Sequence, residues 1–256
     1  MSLIQAIILG IVQGLTEFLP ISSSGHLVLV QALLGFSEPL VEFDVILHIG
    51  TLFAVFFFFY KKIIALRWQE LWIIGIGTIP AVLVGFLLKD AIESVFASAL
   101  SAAVAVLFTA GLNFYTHHLL NRKVETSNEI DSVAKISTKK ALFIGLLQAA
   151  AITPGISRSG STVWAGVFSK LDRQTAFEYS FLLSIPAILG AVVLQLADGI
   201  SMAAVPLSAI LAGLITAFGF GFFSLRLLQF MIRKANFAIF GWYCLIVGIV
   251  GMLILR

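Results

Sequence analysis

A series of long apolar stretches recurs along this sequence, and it constrains the fold more than any other feature. Six of these stretches contain close to the roughly 20 residues that a helix needs to cross a bilayer. They lie near residues 41–60, 70–89, 95–118, 174–197, 203–225 and 236–255. Backbone polar groups cannot stay unpaired in lipid, so segments of this length must be helical. The chain is therefore predicted to be an all-α integral membrane protein.

Composition supports a membrane environment and excludes several functional classes. Hydrophobic residues make up 60% of the chain and charged residues 11%, whereas a soluble domain has about 25% charged residues. The single cysteine, Cys244, lies in an apolar run, which excludes a disulfide framework and a thiolate metal site. The net charge of +3 comes from basic loops, so we expect no nucleic-acid partner. The N-terminus lacks a basic n-region and a cleavage site, and we expect it to be retained.

Two further apolar segments, residues 2–35 and 139–170, are too interrupted to cross the membrane. The first contains the sequence PISSSGH and the second contains PGISRSG. Irregular backbone at membrane depth is tolerated only where protein or a water-filled cavity covers it. We therefore predict two re-entrant helix pairs, with the Ser and Gly clusters at their tips.

The interrupted segments also match each other at an offset of 135 positions. The matched pairs are Gly10 and Gly145, Gln13 and Gln148, Ile21 and Ile156, Ser22 and Ser157, Ser24 and Ser159, and Gly25 and Gly160. A single membrane domain, 1–256, thus divides into repeat one (1–120), a basic loop (121–138) and repeat two (139–256). Each repeat has one re-entrant pair and three spans, and this odd number of crossings predicts an inverted-topology repeat of six transmembrane helices plus two re-entrant pairs. Inverted repeats place their site at the repeat interface near the midplane, so the two tips should meet.

Basic residues predict the orientation of the chain. They cluster in three loops: Lys61, Lys62 and Arg67; Arg122, Lys123, Lys135, Lys139 and Lys140; and Arg226, Arg233 and Lys234. Loops rich in Lys and Arg stay in the cytoplasm. Both termini and the entrance of the first re-entrant pair are then on the outer side.

The side chains at the two tips differ where the repeat would predict sameness. Arg158 occupies the place of Ser23, and Ile152 that of Glu17. Ionisable residues at membrane depth are energetically expensive and mark functional sites. One loop therefore offers an acid, hydroxyls and an imidazole, and the other a cation. This asymmetry is what we expect of a catalytic site with a phosphate clamp.

Phosphoryl transfer depends mainly on positioning and electrostatic stabilisation, and these residues can supply both. Glu17 with Gln13 can hold Mg²⁺ or Ca²⁺, which favour oxygen ligands. Arg158 can grip phosphate with two N–H groups. Ser23 is the candidate nucleophile and His26 the base or proton donor. The predicted substrate-binding residues around the two turns are Ser22, Ser24, Gly25, Ser157, Ser159 and Gly160, with Ser22 or Ser24 as alternative nucleophiles.

Several of these residues also have purely structural interpretations. Serines at a tip can cap helices, and Gln13, mirrored by Gln148, can form an interhelical hydrogen bond. Asp44 and Glu178 open their spans and can compensate helix dipoles. His48 lies one turn beyond Asp44, and we interpret it as the hydrogen-bonding partner of that residue.

The stretches QGLTEFLPISSSGH and PGISRSG resemble the paired motifs of bacterial undecaprenyl pyrophosphate phosphatases, the bacitracin-resistance family, and the resemblance covers nearly the whole chain. It implies a fold of six spans and two re-entrant loops, a divalent cation and a site that opens toward the periplasm. Gln13 and Glu17 fill the family's motif of an acid or amide, three spacers and an acid. Ser23 and His26 lie in its Ser-rich loop, and Arg158 is the arginine of its second motif. Glutamine at position 13 leaves one negative charge fewer.

The residues and the resemblance together predict a multi-pass phosphatase of the bacterial cytoplasmic (inner) membrane. Its partners would be a polyprenyl pyrophosphate lipid as substrate and membrane lipids, with a homodimer as a candidate assembly. A lipid flippase or a secondary transporter is the alternative, because inverted repeats with broken helices are typical of alternating access. An anion channel would need a polar stripe along several spans, and the sequence has none.

Overall fold

A computed structural model describes residues 1–38, 40–87, 99–121, 129–197 and 205–254. Within these ranges the chain forms ten α-helices and one 3₁₀ turn. The helices are α1 (Leu3–Phe18), α2 (Ser23–Leu33), α3 (Val41–Ile64), α4 (Trp68–Leu87), α5 (Ala99–Asn121), α6 (Thr138–Ala150), α7 (Arg158–Phe168), α8 (Arg173–Ala197), α9 (Leu207–Arg233) and α10 (Ala238–Ile254). Arg122, Lys123 and parts of four predicted spans lie outside the described residues.

The predicted all-α membrane class is confirmed. Five of the described helices are long and apolar enough to cross a membrane, namely α3, α4, α5, α8 and α9. Helix α10 is also apolar but has 17 residues, the lower end of the range of about 17–25 residues that spans a bilayer. The sixth span therefore stays a prediction.

Each of the two interrupted segments forms a pair of short helices. Helix α1 begins with a capping box between Ser2 and Gln5 and ends at Phe18. Leu19 has extended backbone angles, as expected of a residue that precedes a proline. In the second segment α6 ends at Ala150 and α7 begins at Arg158. We call residues 19–22 the first loop and residues 151–157 the second loop.

The helices of the two halves pack against each other in a reciprocal pattern. Helix α1 packs mainly on α9 and α6 mainly on α4, which pairs the first helix of each half with the fourth helix of the other, and α5 packs on α10. The first helix of each half lies close to its partner helix at an equivalent glycine. A Cβ on Gly10 would lie 2.7 Å from the carbonyl oxygen of Gly213, and a Cβ on Gly145 would lie 3.1 Å from Cα of Gly77.

One group of ion pairs and hydrogen bonds joins the ends of several helices. Lys62, near the end of α3, lies 3.0 Å from Glu70 of α4 and 3.6 Å from Glu178 of α8. Arg173, at the start of α8, donates to the carbonyl of Leu120 at 2.7 Å, close to the end of α5. The described basic turns predicted to be cytoplasmic therefore lie on the same side of the helix assembly.

Candidate active site

The two loops end in the same serine-capped turn. The Ser22 hydroxyl caps α2 by accepting from the Gly25 N–H at 3.4 Å, and the Ser157 hydroxyl caps α7 by accepting from the Gly160 N–H at 3.1 Å. A side-chain oxygen at this position satisfies one of the unpaired N–H groups of the first helical turn. Ser22 has a φ of 71°, a left-handed conformation that is uncommon outside glycine. Ser157, by contrast, has a φ of −73°.

Each loop contacts the first turn of the helix that follows the other loop, so the predicted meeting of the tips is confirmed. The Ser159 hydroxyl donates to the carbonyl of Leu19 at 3.0 Å. A Cβ on Gly25 would lie 3.2 Å from Cα of Gly155, and one on Gly160 would lie 3.3 Å from Cβ of Pro20. Glycine at these two positions allows the backbones of the loops to approach closely.

Helix α5 supports the backbone of both loops. Its Asn113 amide donates to the carbonyl of Pro20 at 2.6 Å. Its Thr109 hydroxyl donates to the carbonyl of Gly155 at 2.8 Å and accepts from the Ser157 N–H at 3.0 Å. Thr109 is ten residues from the start of α5, about 15 Å along its axis, so the loops meet near the middle of this helix.

Glu17 stands at the centre of the polar site. Its Oε1 accepts from Nη2 of Arg158 at 2.6 Å, and its Oε2 accepts from the Ser23 hydroxyl at 2.5 Å and from Nε2 of Gln13 at 3.1 Å. Ser23 and Arg158 are the first residues of α2 and α7. The carboxylate is therefore bound by the first side chain after each loop, and only 8% of Glu17 is exposed.

His48 also faces this carboxylate. Its Nε2 lies 3.8 Å from Oε2 of Glu17, and its Nδ1 lies 2.7 Å from the carbonyl oxygen of Asp44. The Asp44 carboxylate instead accepts from the amide of Gln31 at 2.8 Å. The expected pairing of His48 with Asp44 therefore exists, but it uses the Asp44 backbone and leaves the other ring nitrogen toward Glu17.

His26 is held away from Ser23. Its Nδ1 lies 2.7 Å from the carbonyl oxygen of Ser22 and must donate, because a carbonyl only accepts. Its Nε2 lies 2.9 Å from the hydroxyl of Tyr243, and the two rings stack with centroids 5.5 Å apart. The described contacts of the imidazole are thus with the turn and with α10, and the role of His26 as base or proton donor stays a prediction.

Two buried polar atoms at the site have no partner among the described residues. One is Nη1 of Arg158, a donor, and the other is Oε1 of Gln13, an acceptor. A buried polar group without a hydrogen bond is energetically unfavourable. An open donor on one side of Glu17 and an open acceptor on the other suit an anion and a cation, respectively.

The remaining predicted binding residues hold the loops together. Ser24 lies 3.4 Å from the Ser22 hydroxyl, and Ser159 lies 3.2 Å from the Ser157 hydroxyl. Ser22, Ser157 and Ser159 are buried. Their contacts favour the structural interpretation of capping and loop contact.

An apolar groove lies between α3 and α9, away from the polar site. Its volume is about 440 Å³, and it is lined by Phe53, Phe56, Phe57, Tyr60, Leu214, Ile215 and Phe218. None of these residues belongs to the polar cluster around Glu17. The groove is therefore an apolar surface of the helix assembly that is distinct from the polar site.

Sequence reasoning missed the contributions of Thr109, Asn113 and Tyr243 and underestimated that of His48. Thr109 and Asn113 are four residues apart in α5, so they lie on one helical face. Two polar residues at this spacing within an apolar span indicate that this face of the helix contacts other polar groups. Nothing in the sequence indicates that Tyr243, 217 positions from His26, would reach its ring.

Comparisons with known proteins identify the family. A model of the family described as bacitracin resistance protein BacA matches residues 6–250. The chain belongs to this family. The matched segment contains all the residues of the polar site, from Gln13 to Arg158.

Curated relatives match over nearly their whole length. An undecaprenyl-diphosphatase of Methanosphaera stadtmanae is 42% identical, with 99% of this chain and 98% of the relative covered. Another, from Methanobrevibacter smithii, is 43% identical, with 98% and 96% covered. Undecaprenyl-diphosphatase 4 of Bacillus thuringiensis is 39% identical, with 98% and 96% covered.

Proposed function

We propose that this chain hydrolyses undecaprenyl pyrophosphate to undecaprenyl phosphate and inorganic phosphate and so recycles the cell-wall carrier lipid. The observation that carries the proposal is the convergence of a hydroxyl and a guanidinium, each from the residue that follows one of the two loops, on the buried carboxylate of Glu17. The names of the curated relatives, which are undecaprenyl-diphosphatases, support the same activity.

Ser23 is the proposed nucleophile and Glu17 the proposed base. The Ser23 hydroxyl donates to Glu17 at 2.5 Å, the hydrogen-bond reach that a nucleophile and its base require. As the oxygen of Ser23 attacks the terminal phosphorus, its proton passes to Glu17. The bond from phosphorus to the bridging oxygen breaks, and undecaprenyl phosphate leaves. Water then hydrolyses the phosphoserine and restores the Ser23 hydroxyl with release of inorganic phosphate.

Arg158 supplies the positive charge that stabilises the phosphoryl group during its transfer. Nη2 is held by Glu17 while Nη1 has no partner among the described residues. The guanidinium can therefore donate to a phosphate oxygen without releasing the carboxylate. The first residues of α2 and α7 both bond to Glu17, and the N–H groups and dipoles of helix N-termini favour an anion nearby.

His26 is a positioning residue in this proposal. Its Nδ1 holds the carbonyl of Ser22, which has the uncommon positive φ described above. Residues in such conformations persist only when their surroundings hold them. His26 and Tyr243 thus fix the turn from which Ser23 projects.

We also propose that a divalent cation binds beside Glu17. Oε2 of Glu17 and the amide oxygen of Gln13, once the amide has rotated to turn this unpartnered oxygen toward Glu17, would suit a hard ion that prefers oxygen ligands. No described group of three or more His, Cys, Asp or Glu side chains could hold a metal ion, so water or substrate must complete the coordination. When bound, such a cation neutralises phosphate charge.

Several observations support the finer topology of six spans and two re-entrant pairs in an inverted repeat. The halves pack reciprocally, both loops use the same serine cap, and the described basic turns lie at one end. The two loops meet near the middle of α5, which supports a site at mid-membrane depth. We propose a location in the cytoplasmic membrane, with the site open to the outer side and polyprenyl and membrane lipids as partners. The homodimer stays a prediction.

The proposal is tested by phosphate release from undecaprenyl pyrophosphate in detergent, with Mg²⁺ or Ca²⁺ and with EDTA. We expect cation-dependent release that Ser23→Ala abolishes and that Ser208→Ala, at an exposed position of α9, leaves unchanged. Accumulation of ³²P on Ser23 during turnover would identify the covalent step. Well-folded protein that releases no phosphate would instead direct attention to a lipid flippase or a secondary transporter.

A further inference from the structure

We propose that His48 is a direct ligand of the divalent cation and that it biases the site toward first-row transition ions over Ca²⁺. This inference rests on the cation site of the proposed function. It adds a nitrogen ligand from α3 to the two residues on α1 that the sequence motif suggests.

The distance between His48 and Glu17 fits a shared ion better than a direct contact. Nε2 of His48 lies 3.8 Å from Oε2 of Glu17, which is too long for a hydrogen bond. Two ligands of one small cation lie roughly 3–4 Å apart when each is about 2.1 Å from the ion. The gap therefore has the size that an intervening ion requires.

The amide of Gln13 provides the third ligand by rotating about its last bond. In the orientation present, Nε2 lies 3.1 Å from Oε2 of Glu17 and Oε1 is buried without a partner. A half-turn exchanges the two atoms, which have nearly the same shape. The amide oxygen would then face the carboxylate at the spacing of neighbouring ligands, and the ion would relieve the repulsion between the two oxygens.

The other nitrogen of His48 is already set for metal binding. Nδ1 lies 2.7 Å from the carbonyl oxygen of Asp44, and it must donate because a carbonyl only accepts. Metal-binding histidines usually make this kind of bond, which fixes the ring and leaves the lone pair of the second nitrogen for the ion. The His48 side chain is 30% exposed and that of Glu17 is 6% exposed, so His48 also marks the open side of the site.

The charges at the site leave one oxygen of Glu17 for the cation. Oε1 is bound to Arg158 at 2.6 Å, while Oε2 faces Gln13, Ser23 and His48. The resulting ligand set has one imidazole, one carboxylate oxygen and one amide oxygen. Imidazole favours transition ions, whereas an all-oxygen set favours Mg²⁺ or Ca²⁺. His48 is thus the residue that determines the selectivity.

The test is pulsed electron paramagnetic resonance of Mn²⁺ bound to the full chain in detergent, together with Mn²⁺ titrations. We expect ¹⁴N modulation from a directly bound imidazole in the wild type and its loss in His48→Asn. The same variant should weaken Mn²⁺ binding by about tenfold or more, because even the hydrogen-bonding partners of metal ligands are worth 10–100-fold in affinity. Ca²⁺ binding should change less.

Three controls separate this inference from the proposed cation site and activity. His118→Asn, at an exposed position of α5, should keep the modulation, and so should His26→Asn. Glu17→Ala should abolish Mn²⁺ binding. Glu17-dependent binding without modulation, or with modulation that persists in His48→Asn, overturns the role of His48 alone. Phosphate release from protein that binds no Mn²⁺ at Glu17 overturns both the cation site and the role of His48 but leaves the phosphatase standing.

Discussion

The first and second loops both end in a serine that caps the next helix, but they differ in the residue that follows this serine. Each ends in a serine that caps the next helix through a glycine N–H. The next residue is Ser23 after the first loop and Arg158 after the second, and both reach the same carboxylate, that of Glu17. The two halves thus share the serine cap, while the residue after it is the proposed nucleophile in one half and the proposed phosphate clamp in the other.

The largest effect on activity is expected when Glu17, the common partner of Ser23 and Arg158, loses its charge. Glu17→Gln keeps the size of the side chain but removes the charge that binds Arg158 and the base that accepts from Ser23. General-base catalysis contributes about 10²–10⁴-fold, and we expect kcat for phosphate release to fall by at least that factor. Glu129→Gln, at an exposed position, is the matched control. A Glu17→Gln enzyme within tenfold of the wild type would show that the carboxylate is not the base.

A smaller loss of activity is expected when Arg158 is replaced by a residue that keeps the positive charge but lacks the planar guanidinium with its two N–H donor groups. Arg158→Lys cannot bind Glu17 and a phosphate oxygen through two separate N–H groups of one planar group. Loss of one preorganised donor at a transition state typically lowers the rate by about 10²–10³-fold. We expect a fall in kcat of this order, measured by phosphate release.

The matched control for the clamp is Arg226→Lys, because Arg226 is exposed and stacks on the ring of Phe222. It should retain activity. Equal activity of Arg158→Lys and the wild type would mean that positive charge alone is sufficient at this position.

The features that sequence could predict are those carried by length, periodicity and local motif. The helical class and five of the spans follow from apolar stretches that water cannot solvate. The approach of the two loops follows from the repeat, and the central position of Glu17 follows from the high energy of a carboxylate at membrane depth.

The features that sequence could not predict depend on long-range orientation. The contact of His26 with Tyr243 joins positions 217 residues apart. The one-turn spacing of His48 and Asp44 correctly predicts a hydrogen bond between them. It does not reveal which atom of Asp44 accepts this bond or where the second ring nitrogen of His48 points. The hydroxyl of Thr109 serves a loop that lies 46 positions away in sequence. Each of these contacts depends on how the helices pack in three dimensions, which the local sequence pattern does not specify.

A moderate effect on stability is expected when the support of the second loop alone is removed. Thr109→Val keeps the shape of the side chain but leaves the Gly155 carbonyl and the Ser157 N–H without their partner. An unsatisfied buried group costs about 1–3 kcal/mol, so the free energy of unfolding in detergent should fall by about that amount.

Thr116→Val is the matched control on the same helix. The Thr116 hydroxyl only donates to the carbonyl of Leu112 in its own helix, at 2.8 Å, and the change should have little effect. If Thr109→Val and Thr116→Val unfold alike, the second loop does not depend on α5.

The smallest effect, and the one that most sharpens the comparison, is expected at the repeat-equivalent glutamines. Gln148 is 1% exposed, and neither polar atom of its amide has a partner among the described residues. Gln13 has the same place in the first half but donates to Glu17. Gln148→Met should therefore raise the free energy of unfolding by about 1 kcal/mol by removing unsatisfied groups and should leave phosphate release unchanged. Gln13→Met should lower phosphate release and cation affinity instead, because it removes a contact of the catalytic carboxylate. If Gln148→Met also reduced turnover, the second half would contribute more than its arginine to the site, and the division between a catalytic loop and a clamping loop would have to be abandoned.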